Sequence, residues 1–205
     1  MKPYRVNRDR EPVLSDLDTI QIDDVSSVPA PFIDTYTYWL TACGGKWAPT
    51  WRRFYLGEID VAVLPWSIVV DVEQDPADLF YRFWGTERTH LIGVEMTNKK
   101  ASKIPNAHMR DANIKEYRDV IARKSPLLCA TPVVTSSGLR AVFQSIRLPI
   151  SDDEKTVTKN FLCHRFFTDI RCPLSGFWPR TPTDVGIVLI LTAMDVRLAA
   201  SGWNQ

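Results

Sequence analysis

The sequence predicts an α+β domain with a five-stranded antiparallel sheet, short helices on one face and a capping helix at its N-terminal end. Three observations lead to this fold class. A helical stripe occupies residues 33–42, two alternating strands follow at 66–73 and 79–84, and three strand signals over 127–166 follow a longer helix at 108–124. The first two strands and the last three can join into one sheet, and the intervening helices would then cover one face.

The composition is that of a soluble globular protein. A chain of 205 residues with 45% apolar and 24% charged residues fits one domain with extensions. The formal net charge is +1, which provides no broad basic field, so nucleic-acid binding is not predicted.

Three regions are predicted along the chain. Residues 1–31 form a polar, loosely packed arm, residues 32–166 form the domain, and residues 167–205 form a proline-rich connector with an apolar C-terminal segment. The apolar run 186–194 is much shorter than the roughly 20 residues of a membrane span. The first 24 residues carry charges throughout and lack the apolar core of a signal peptide.

The spacing of the four cysteines bears on where the protein is located in the cell. No two of them have CxxC spacing, which argues against a zinc site or a redox-active disulfide and favours free thiols. Cys129 and Cys163 are expected to pack as small apolar residues in strands. Together with the missing signal peptide, this predicts a cytoplasmic protein.

The first helix and the first two strands carry clear local signals. Ile33, Tyr36 and Leu40 form an apolar stripe with Trp39 beside it, and Gly44-Gly45 supplies a left-handed stop. In the first strand, alternation places the following three residues on one face: Ile68, Val70 and Val72. In the second strand it places Leu79, Tyr81 and Phe83 on one face, and Phe80, Arg82 and Trp84 on the other. Both faces are aromatic, so both are expected to be covered.

The later elements are bounded by turn residues. A short helix over Glu87–Ile92 ends at Gly93, and the longer helix presents Ile114, Tyr117 and Ile121 on one face. Turns are predicted at Ser136-Ser137-Gly138 and at Ser151–Glu154.

The motifs within residues 33–95 resemble those of a bacterial branch of the PAS sensory domains. They are a helix with Tyr38-Trp39, the Gly44-Gly45 turn, and the strand end Tyr81-Arg-x-x-Gly-Thr86. The resemblance extends over residues 33–166 and implies signal sensing or partner docking. Trp51-Arg52-Arg53 departs from the pattern, since the relatives have a shorter Ser-Arg-x-x-Asp stretch there.

The resemblance also implies a ligand cavity between the sheet and the helices. The residues expected to line it are Tyr81, Phe83, His90, Arg118, Phe143, Gln144 and Phe161. Their alternative role is to fill a packed core. The cofactor stays unspecified: no spacing supports a haem ligand among the histidines, and the Asn-Cys-Arg-Phe sequence of flavin photoreceptors is missing.

A second site is expected on the outer face of the sheet, where PAS proteins often pair two copies through the N-terminal helix. The residues expected at this homodimer interface are Tyr36, Trp39, Leu40, Val69, Phe80 and Trp84. The alternative is that the helix only covers its own sheet. Because no output domain fits in the remaining residues, signalling is expected to pass through the dimer or a partner protein.

The leading functional prediction is therefore a non-enzymatic sensory or interaction module of bacterial signal transduction. One rival is a small-molecule enzyme on a cone-shaped α+β fold, although GxSxG, GxGxxG, HExxH and Walker motifs are all missing from the sequence. The other rival is a purely structural dimerisation module, which would differ from a sensor in having a filled core.

Overall fold

A computed structural model describes residues 18–72, 79–134 and 140–167. Its helices are α1 (Ile33–Cys43), α2 (Thr86–Ile92) and α3 (Ala107–Arg123). Its strands are β1 (Asp18–Gln21), β2 (Ser67–Asp71), β3 (Phe80–Trp84), β4 (Lys99–Lys100), β5 (Leu127–Val134), β6 (Arg140–Ile150) and β7 (Lys159–Phe167).

These strands form one antiparallel sheet in the order β1-β5-β6-β7-β2-β3-β4. The α+β class and the order of its main elements are confirmed. Across the described ranges, however, the sheet has seven strands instead of five. The additional strands, β1 and β4, are short and extend the two edges of the sheet.

The segment before α1 packs against the sheet, which corrects the expectation of a loose arm for residues 18–31. Asp18–Gln21 pairs antiparallel with the outer side of β5, and the Ile22 amide continues this pairing by donating to the Pro126 carbonyl at 3.0 Å. Ile22 and Val28 are buried in the core beneath α1. Pairing satisfies backbone groups along the edge of β5, and the two apolar side chains add burial.

Helix α1 covers the outer face of the sheet through a different stripe from the one predicted. Tyr36, Trp39 and Cys43 are buried, whereas Ile33 and Leu40 are 39% and 49% exposed. The orientation is fixed by Trp39, whose Nε1–H donates to the Pro149 carbonyl of β6 at 2.8 Å. The predicted stop is confirmed, because Gly44 ends the helix with φ +58°.

A bulge between β2 and β3 changes which residues share a face. Val69 pairs with Phe83 and Val70 with Tyr81, so Arg82 is the extra residue on β3. Tyr81 and Trp84 consequently lie on the same side of the sheet, while Phe83 joins the opposite side. The expected alternation along residues 79–84 was therefore wrong beyond Arg82.

The sheet separates two apolar cores. Beneath α1 lie Phe32, Tyr36, Trp39, Phe54, Val69, Ile146, Leu148, Ile150 and Phe161. On the α3 side lie Ile68, Val70, Leu79, Tyr81, Trp84, Met96, Ile104, Tyr117 and Leu162. Both faces are covered, as the aromatic residues on each side of β3 had predicted.

Helix α2 ends at the predicted residue, and α3 agrees with its predicted range of 108–124 to within one residue at each end. Gly93 ends α2 with φ +74°, and Lys124 ends α3 in the same left-handed region with φ +51°. At the start of α3 the Asn106 side chain accepts a hydrogen bond from the Met109 amide at 3.0 Å. On the predicted apolar face, Tyr117 is fully buried and Ile114 and Ile121 are partly buried.

The loop after α1 is held by the predicted turn between β6 and β7. Asp152 accepts a hydrogen bond from the Trp51 amide at 2.8 Å, and the Trp47 indole donates to the Glu154 carbonyl at 2.9 Å. Lys46 forms an ion pair with the Glu154 carboxylate. These contacts fix the loop to the turn between β6 and β7.

The turn predicted at 136–138 and the connector beyond Phe167 lie outside the described residues. In the residues that are described, none of the helices has the length and apolar character needed to cross a membrane.

Gly85 occupies a position that excludes any side chain. A Cβ atom built there would lie 2.1 Å from the Pro65 carbonyl oxygen and 2.8 Å from that of Leu64. Its φ of −63° is accessible to any residue. Glycine is therefore required by the close approach of the backbone and not by a left-handed conformation. Its amide donates to the Ser67 carbonyl at 2.8 Å, which locks the end of β3 onto the start of β2.

We expect Gly85→Ala to destabilise the protein by about 2 kcal/mol or more, because rigid backbone atoms must move to admit the methyl group. Urea unfolding of the full chain measures this loss. Gly93→Asn is the matched control: a Cβ there meets nothing within 4 Å, and asparagine tolerates the left-handed backbone. Equal stability of the two variants would contradict the close-approach interpretation.

Candidate ligand site

The side of the sheet that faces α3 carries a buried group of polar and aromatic side chains. We call it the polar cluster, and its members are Tyr81, Trp84, Arg88, Glu116, Tyr117, Arg147 and His164. Each is at most 7% exposed. They come from β3, α2, α3, β6 and β7, so the fold assembles the cluster from distant parts of the chain.

The strand register defines the shape of the cluster. Trp84 pairs with Ile68, Ile68 with Leu162, and Leu162 with Arg147, which places these four residues in one row across β3, β2, β7 and β6. Three strand spacings separate the ends of the row, about 14 Å in total. Ile68 and Leu162 therefore form an apolar floor between the indole of Trp84 and the guanidinium of Arg147.

A buried ion pair closes one side of the cluster. Arg147 Nη2 donates to Glu116 Oε2, and both side chains are almost fully buried. The Arg147 guanidinium also lies over the ring of Tyr117, 4.4 Å from its centroid. Burial disfavours the charged form of Arg147, but the adjacent Glu116 carboxylate outweighs it, so the pKa of Arg147 is raised overall.

A second guanidinium enters from α2. Arg88 lies over the indole ring of Trp84, 5.3 Å from the ring centroid, and is 4% exposed. Burial lowers the pKa of Arg88 to about 10, and the nearby positive charge of Arg147 acts in the same direction. The cluster thus holds two positive charges close enough to influence each other.

Several buried donors of the cluster make no hydrogen bond within the described part of the protein. They are the hydroxyls of Tyr81 and Tyr117, the indole N–H of Trp84, and Nε and Nη1 of Arg147. The two tyrosine rings meet edge to face at 6.4 Å, and burial raises the pKa of both hydroxyls, so both stay protonated near neutral pH. The Tyr81 and Tyr117 hydroxyls influence each other's pKa, and Tyr117 and Arg147 influence each other in the same way. The separation or angle of both pairs nevertheless falls outside hydrogen-bond geometry.

His164 lies at the margin of the cluster as a neutral side chain. Burial lowers its pKa well below the ordinary value, and the positive charges of Arg88 and Arg147 add to the effect. Its Nδ1 lies 3.2 Å from the Trp66 carbonyl oxygen, which can only accept, so Nδ1 carries the proton. The imidazole therefore serves as a fixed donor near neutral pH.

The arrangement suits the binding of a group rich in hydrogen-bond acceptors. A buried donor without an acceptor costs about 1–3 kcal/mol, and native interiors contain few of them. Here donors from four side chains belong to one buried cluster above the apolar residues Ile68 and Leu162. Donor-rich polar groups in an otherwise apolar surrounding are the pattern of small-molecule sites.

Of the residues predicted to line a ligand cavity, the structure places Tyr81 in the polar cluster. Phe83 and Phe161 lie on the opposite side of the sheet and pack into the α1 core. Phe83 is separated from Tyr81 because the extra residue Arg82 places it on the opposite face of β3. Phe161 lies on that face because it pairs with Val69, which belongs to the α1 core.

The other predicted cavity residues are dispersed. His90 and Arg118 are exposed on α2 and α3, because each lies on the outer face of its helix. Gln144 is buried in β6, on the strand face shared with Ile146 and Leu148 towards α1. Phe143 lies in the same strand and pairs with Thr131 and Phe166.

The residues predicted for a dimer interface are also divided between the two faces. Tyr36, Trp39 and Val69 are buried within the chain in the α1 core, and Trp84 belongs to the polar cluster on the other side. Phe80 is partly buried at the start of β3. Among these predicted residues, Leu40 is the one whose side chain is exposed.

Five residues of the cluster were not predicted as site residues: Arg88, Glu116, Tyr117, Arg147 and His164. The signal for Arg147 was present, since a charged residue lies between Ile146 and Leu148 inside a strand pattern. Such a residue faces solvent on a half-covered sheet, but here helices cover both faces and it must be buried. Its partner Glu116 lies beside Tyr117 on α3 and carried no comparable signal.

The described residues offer neither a metal-binding group nor a thiolate nucleophile among Cys43 and Cys163. They contain no group of three or more histidine, cysteine or acidic side chains arranged to hold a metal ion. Burial raises the pKa of Cys43 to about 11 and that of Cys163 to about 12, so both remain thiols at neutral pH. As predicted, Cys129 and Cys163 are buried in strands.

Comparison with protein-family models, curated proteins and solved structures gave no match to this chain.

We expect Tyr81→Phe to stabilise the ligand-free protein by about 1 kcal/mol, because it removes a buried hydroxyl that has no partner and leaves the ring in place. Tyr38→Phe removes a hydroxyl that does have hydrogen-bond partners. The Tyr38 hydroxyl accepts from the Tyr55 amide at 2.8 Å and donates to the Tyr55 carbonyl at 3.1 Å. We expect its loss to cost about 1 kcal/mol. Urea unfolding compares both variants, and a destabilised Tyr81→Phe would show that its hydroxyl is satisfied.

The stability of the protein should fall as the pH drops below about 6.5, the histidine pKa of an unfolded chain. His164 has a lowered pKa when folded, so in this range the unfolded chain binds the additional proton. The free energy of unfolding should decrease by up to about 1.4 kcal/mol per pH unit. His164→Gln should flatten this slope between about pH 5 and pH 6.5. The control His90→Gln, at an exposed position, should keep it.

Proposed function

We propose that this protein is a PAS-like sensory module that binds a small molecule at the polar cluster and passes the signal on through helix α1. The observation that carries the proposal is the set of buried, unpartnered donors on Tyr81, Trp84, Tyr117 and Arg147. A purely structural core has no reason to concentrate such costly groups. A binding site has one, because the ligand supplies the missing acceptors.

The resemblance to PAS domains supports the proposal through the roles of the motif residues. Trp39 anchors α1 to the sheet, Gly44 ends α1 in the left-handed conformation, and Gly85 allows the backbone to pass close to Pro65. The same residues would be needed in any protein that joins these elements at these angles. The order of helix, strand pair, short helices, longer helix and three strands agrees with the resemblance.

The enzyme alternative gains less support from the site. The two tyrosine hydroxyls have raised pKa values and remain protonated, and His164 is a neutral donor to a backbone carbonyl. These groups are suited to hold a ligand. A general base would need a pKa near the working pH and an accessible lone pair.

For the output step we propose a contact between two copies of the chain across α1. One face of α1 is anchored to the sheet by Tyr36 and Trp39, while Ile33 and Leu40 lie seven residues apart on the opposite, exposed face. Positions separated by seven residues share a helix face, so the two side chains form one apolar stripe. A two-fold contact places this stripe against its own copy.

Native mass spectrometry of the gently purified full chain tests the sensory proposal. We expect a mass above the 23.4 kDa of the chain that disappears on denaturation. An absorbance spectrum of the same sample shows whether the bound molecule is coloured. The matched variant Tyr81→Phe/Tyr117→Phe should carry less of the bound molecule, because it lacks two donors of the cluster. Full occupancy in this variant would place the ligand elsewhere.

The output proposal predicts that Leu40→Glu shifts the protein from dimer to monomer, because the carboxylate would be buried against a second copy. Light scattering coupled to size-exclusion chromatography measures the mass. Val61→Glu is the matched control, since Val61 is 83% exposed and lies outside the helix. A monomeric wild-type protein, or a dimer that persists in Leu40→Glu, would count against this interface.

A further inference from the structure

We propose that two copies of the chain pair through α1 in antiparallel orientation, with Asp34 of each chain placed against Arg53 of the other. This inference rests on the output contact of the proposed function and specifies the orientation, the register and the ion pairs of that contact. It depends on three features of α1: the shape of its exposed stripe, the charges at its two ends, and the orientation in which these charges can meet.

The exposed stripe of α1 alternates large and small residues. Ile33, Thr37, Leu40 and the C-cap residue Gly44 follow each other at spacings of four and three, so they share one face of the helix, and all of them are exposed. Two helices pack closely when the large side chains of one lie in the gaps of the other. In this stripe the gaps lie at Thr37 and Gly44.

An antiparallel pair can fill both gaps at once. When Ile33 lies opposite the partner's Gly44, Leu40 lies opposite the partner's Thr37, because both contacts then share one two-fold axis that passes between Thr37 and Leu40. Each large side chain meets a small residue, and the apolar stripes of both copies are covered. A parallel pair would instead place each residue against its own copy, so that the gaps would face each other.

The N-terminal end of α1 is acidic. Asp34 is exposed in the first turn, and Asp23 and Asp24 are exposed in the segment before the helix. Burial is the main cause of the raised pKa of the Tyr36 hydroxyl, and the charges of Asp24 and Asp23 add to it. Both carboxylates therefore lie near the N-terminal half of α1.

The C-terminal end of α1 is basic. The Arg53 guanidinium lies beside Gly44, since a Cβ atom built on Gly44 would be 2.6 Å from Nη1 of Arg53. Arg52 is exposed next to Arg53 in the chain. Among the residues that the structure describes, neither Asp34 nor Arg53 takes part in an ion pair. Both charges are therefore available to a second chain.

The antiparallel orientation brings these opposite charges together. In the register that fills the gaps, Asp34 is level with the partner's Cys43, one helical rise of about 1.5 Å from the partner's Gly44 and the Arg53 guanidinium beside it. The two-fold axis makes this contact twice. A parallel pair would place like charges near each other and align the two helix dipoles. The stripe is thus complementary to itself in shape and charge, which favours a second copy of the chain as its occupant.

Cysteine cross-linking of the full-length protein tests the orientation. In the antiparallel pair the two copies of Thr37 are offset by about 4.5 Å along the helix axis, whereas the two copies of Ile33 are offset by about 16 Å. We therefore expect Thr37→Cys to form a disulfide-linked dimer on mild oxidation with diamide, and Ile33→Cys to form none. Non-reducing electrophoresis measures both, and the wild-type protein gives the background from the native cysteines.

Charge exchange tests the ion pairs. Asp34→Arg and Arg53→Asp should each raise the dissociation constant of the dimer by about tenfold, because each replaces two attractions by two repulsions. The double variant Asp34→Arg/Arg53→Asp should return the constant to within about threefold of the wild-type value, because the opposite charges meet again. Analytical ultracentrifugation over a concentration series measures these constants. Arg118→Asp is the matched control, since Arg118 is exposed on α3 at the other side of the sheet.

The outcomes separate this inference from the proposed function. If Ile33→Cys cross-links as readily as Thr37→Cys, the helices are parallel, which overturns the inference and leaves the output contact in place. A dimer that neither cysteine variant cross-links, or whose dissociation constant does not respond to the charge variants, also overturns it. A wild-type protein that is monomeric throughout the series would overturn the output contact as well and leave the stripe to a different protein. The native mass of the purified protein decides separately whether the chain binds a ligand.

Discussion

The two central strands, β2 and β7, are the constraint on which the rest of the structure depends. They are paired with each other and have further strands on both sides, and both of their faces are covered. Because side chains alternate, each of these strands contributes to two separate cores. Val69 and Phe161 lie beneath α1, while Ile68 and Leu162 form the floor of the polar cluster. A change in the packing of one core can therefore displace β2 and β7, which also contribute side chains to the other core.

This shared sheet offers a short physical route between the candidate site and the candidate output surface. In the proposed function a ligand would act from the side of the sheet that carries Ile68 and Leu162, whose neighbours Val69 and Phe161 lie in the core beneath α1. Trp39 ties the same helix to Pro149 in β6, two residues from Arg147. A ligand shifts such an equilibrium only if it binds one packing more tightly than another. In the proposed mechanism, the two packings differ in how α1 lies on the sheet.

Much of the fold was predictable because its signals are local. Alternation in β2, the helical period of α3 and the glycines after α1 and α2 each fix a local conformation that tertiary packing kept. The bulge at Arg82 was not predictable, because one extra residue in a strand leaves no mark in composition. That residue moved Phe83 away from Tyr81 and brought Trp84 beside it, which divided both predicted sites between the two faces.

The polar cluster was difficult to predict for a different reason. Arg147 and Glu116 are 31 positions apart, and burial turns two ordinary surface residues into an ion pair only after α3 lies on the sheet. Sequence periodicity shows which residues share a face but not which face a helix will cover. The predicted stripe on α1 was offset for the same reason, since the long-range bond of Trp39 to Pro149 sets its rotation.

The two borders of the sheet are protected in different ways. On one border β4 is only two residues long and consists of Lys99 and Lys100, whose charges discourage another strand from joining. On the other, β5 is protected by residues 18–21 of the same chain. A shortened chain that began at α1 would leave the backbone of β5 open at a mostly apolar strand. Residues 18–21, which the sequence predicts as part of a loosely packed arm, therefore occupy the border of β5 at which a strand of another chain could otherwise be added.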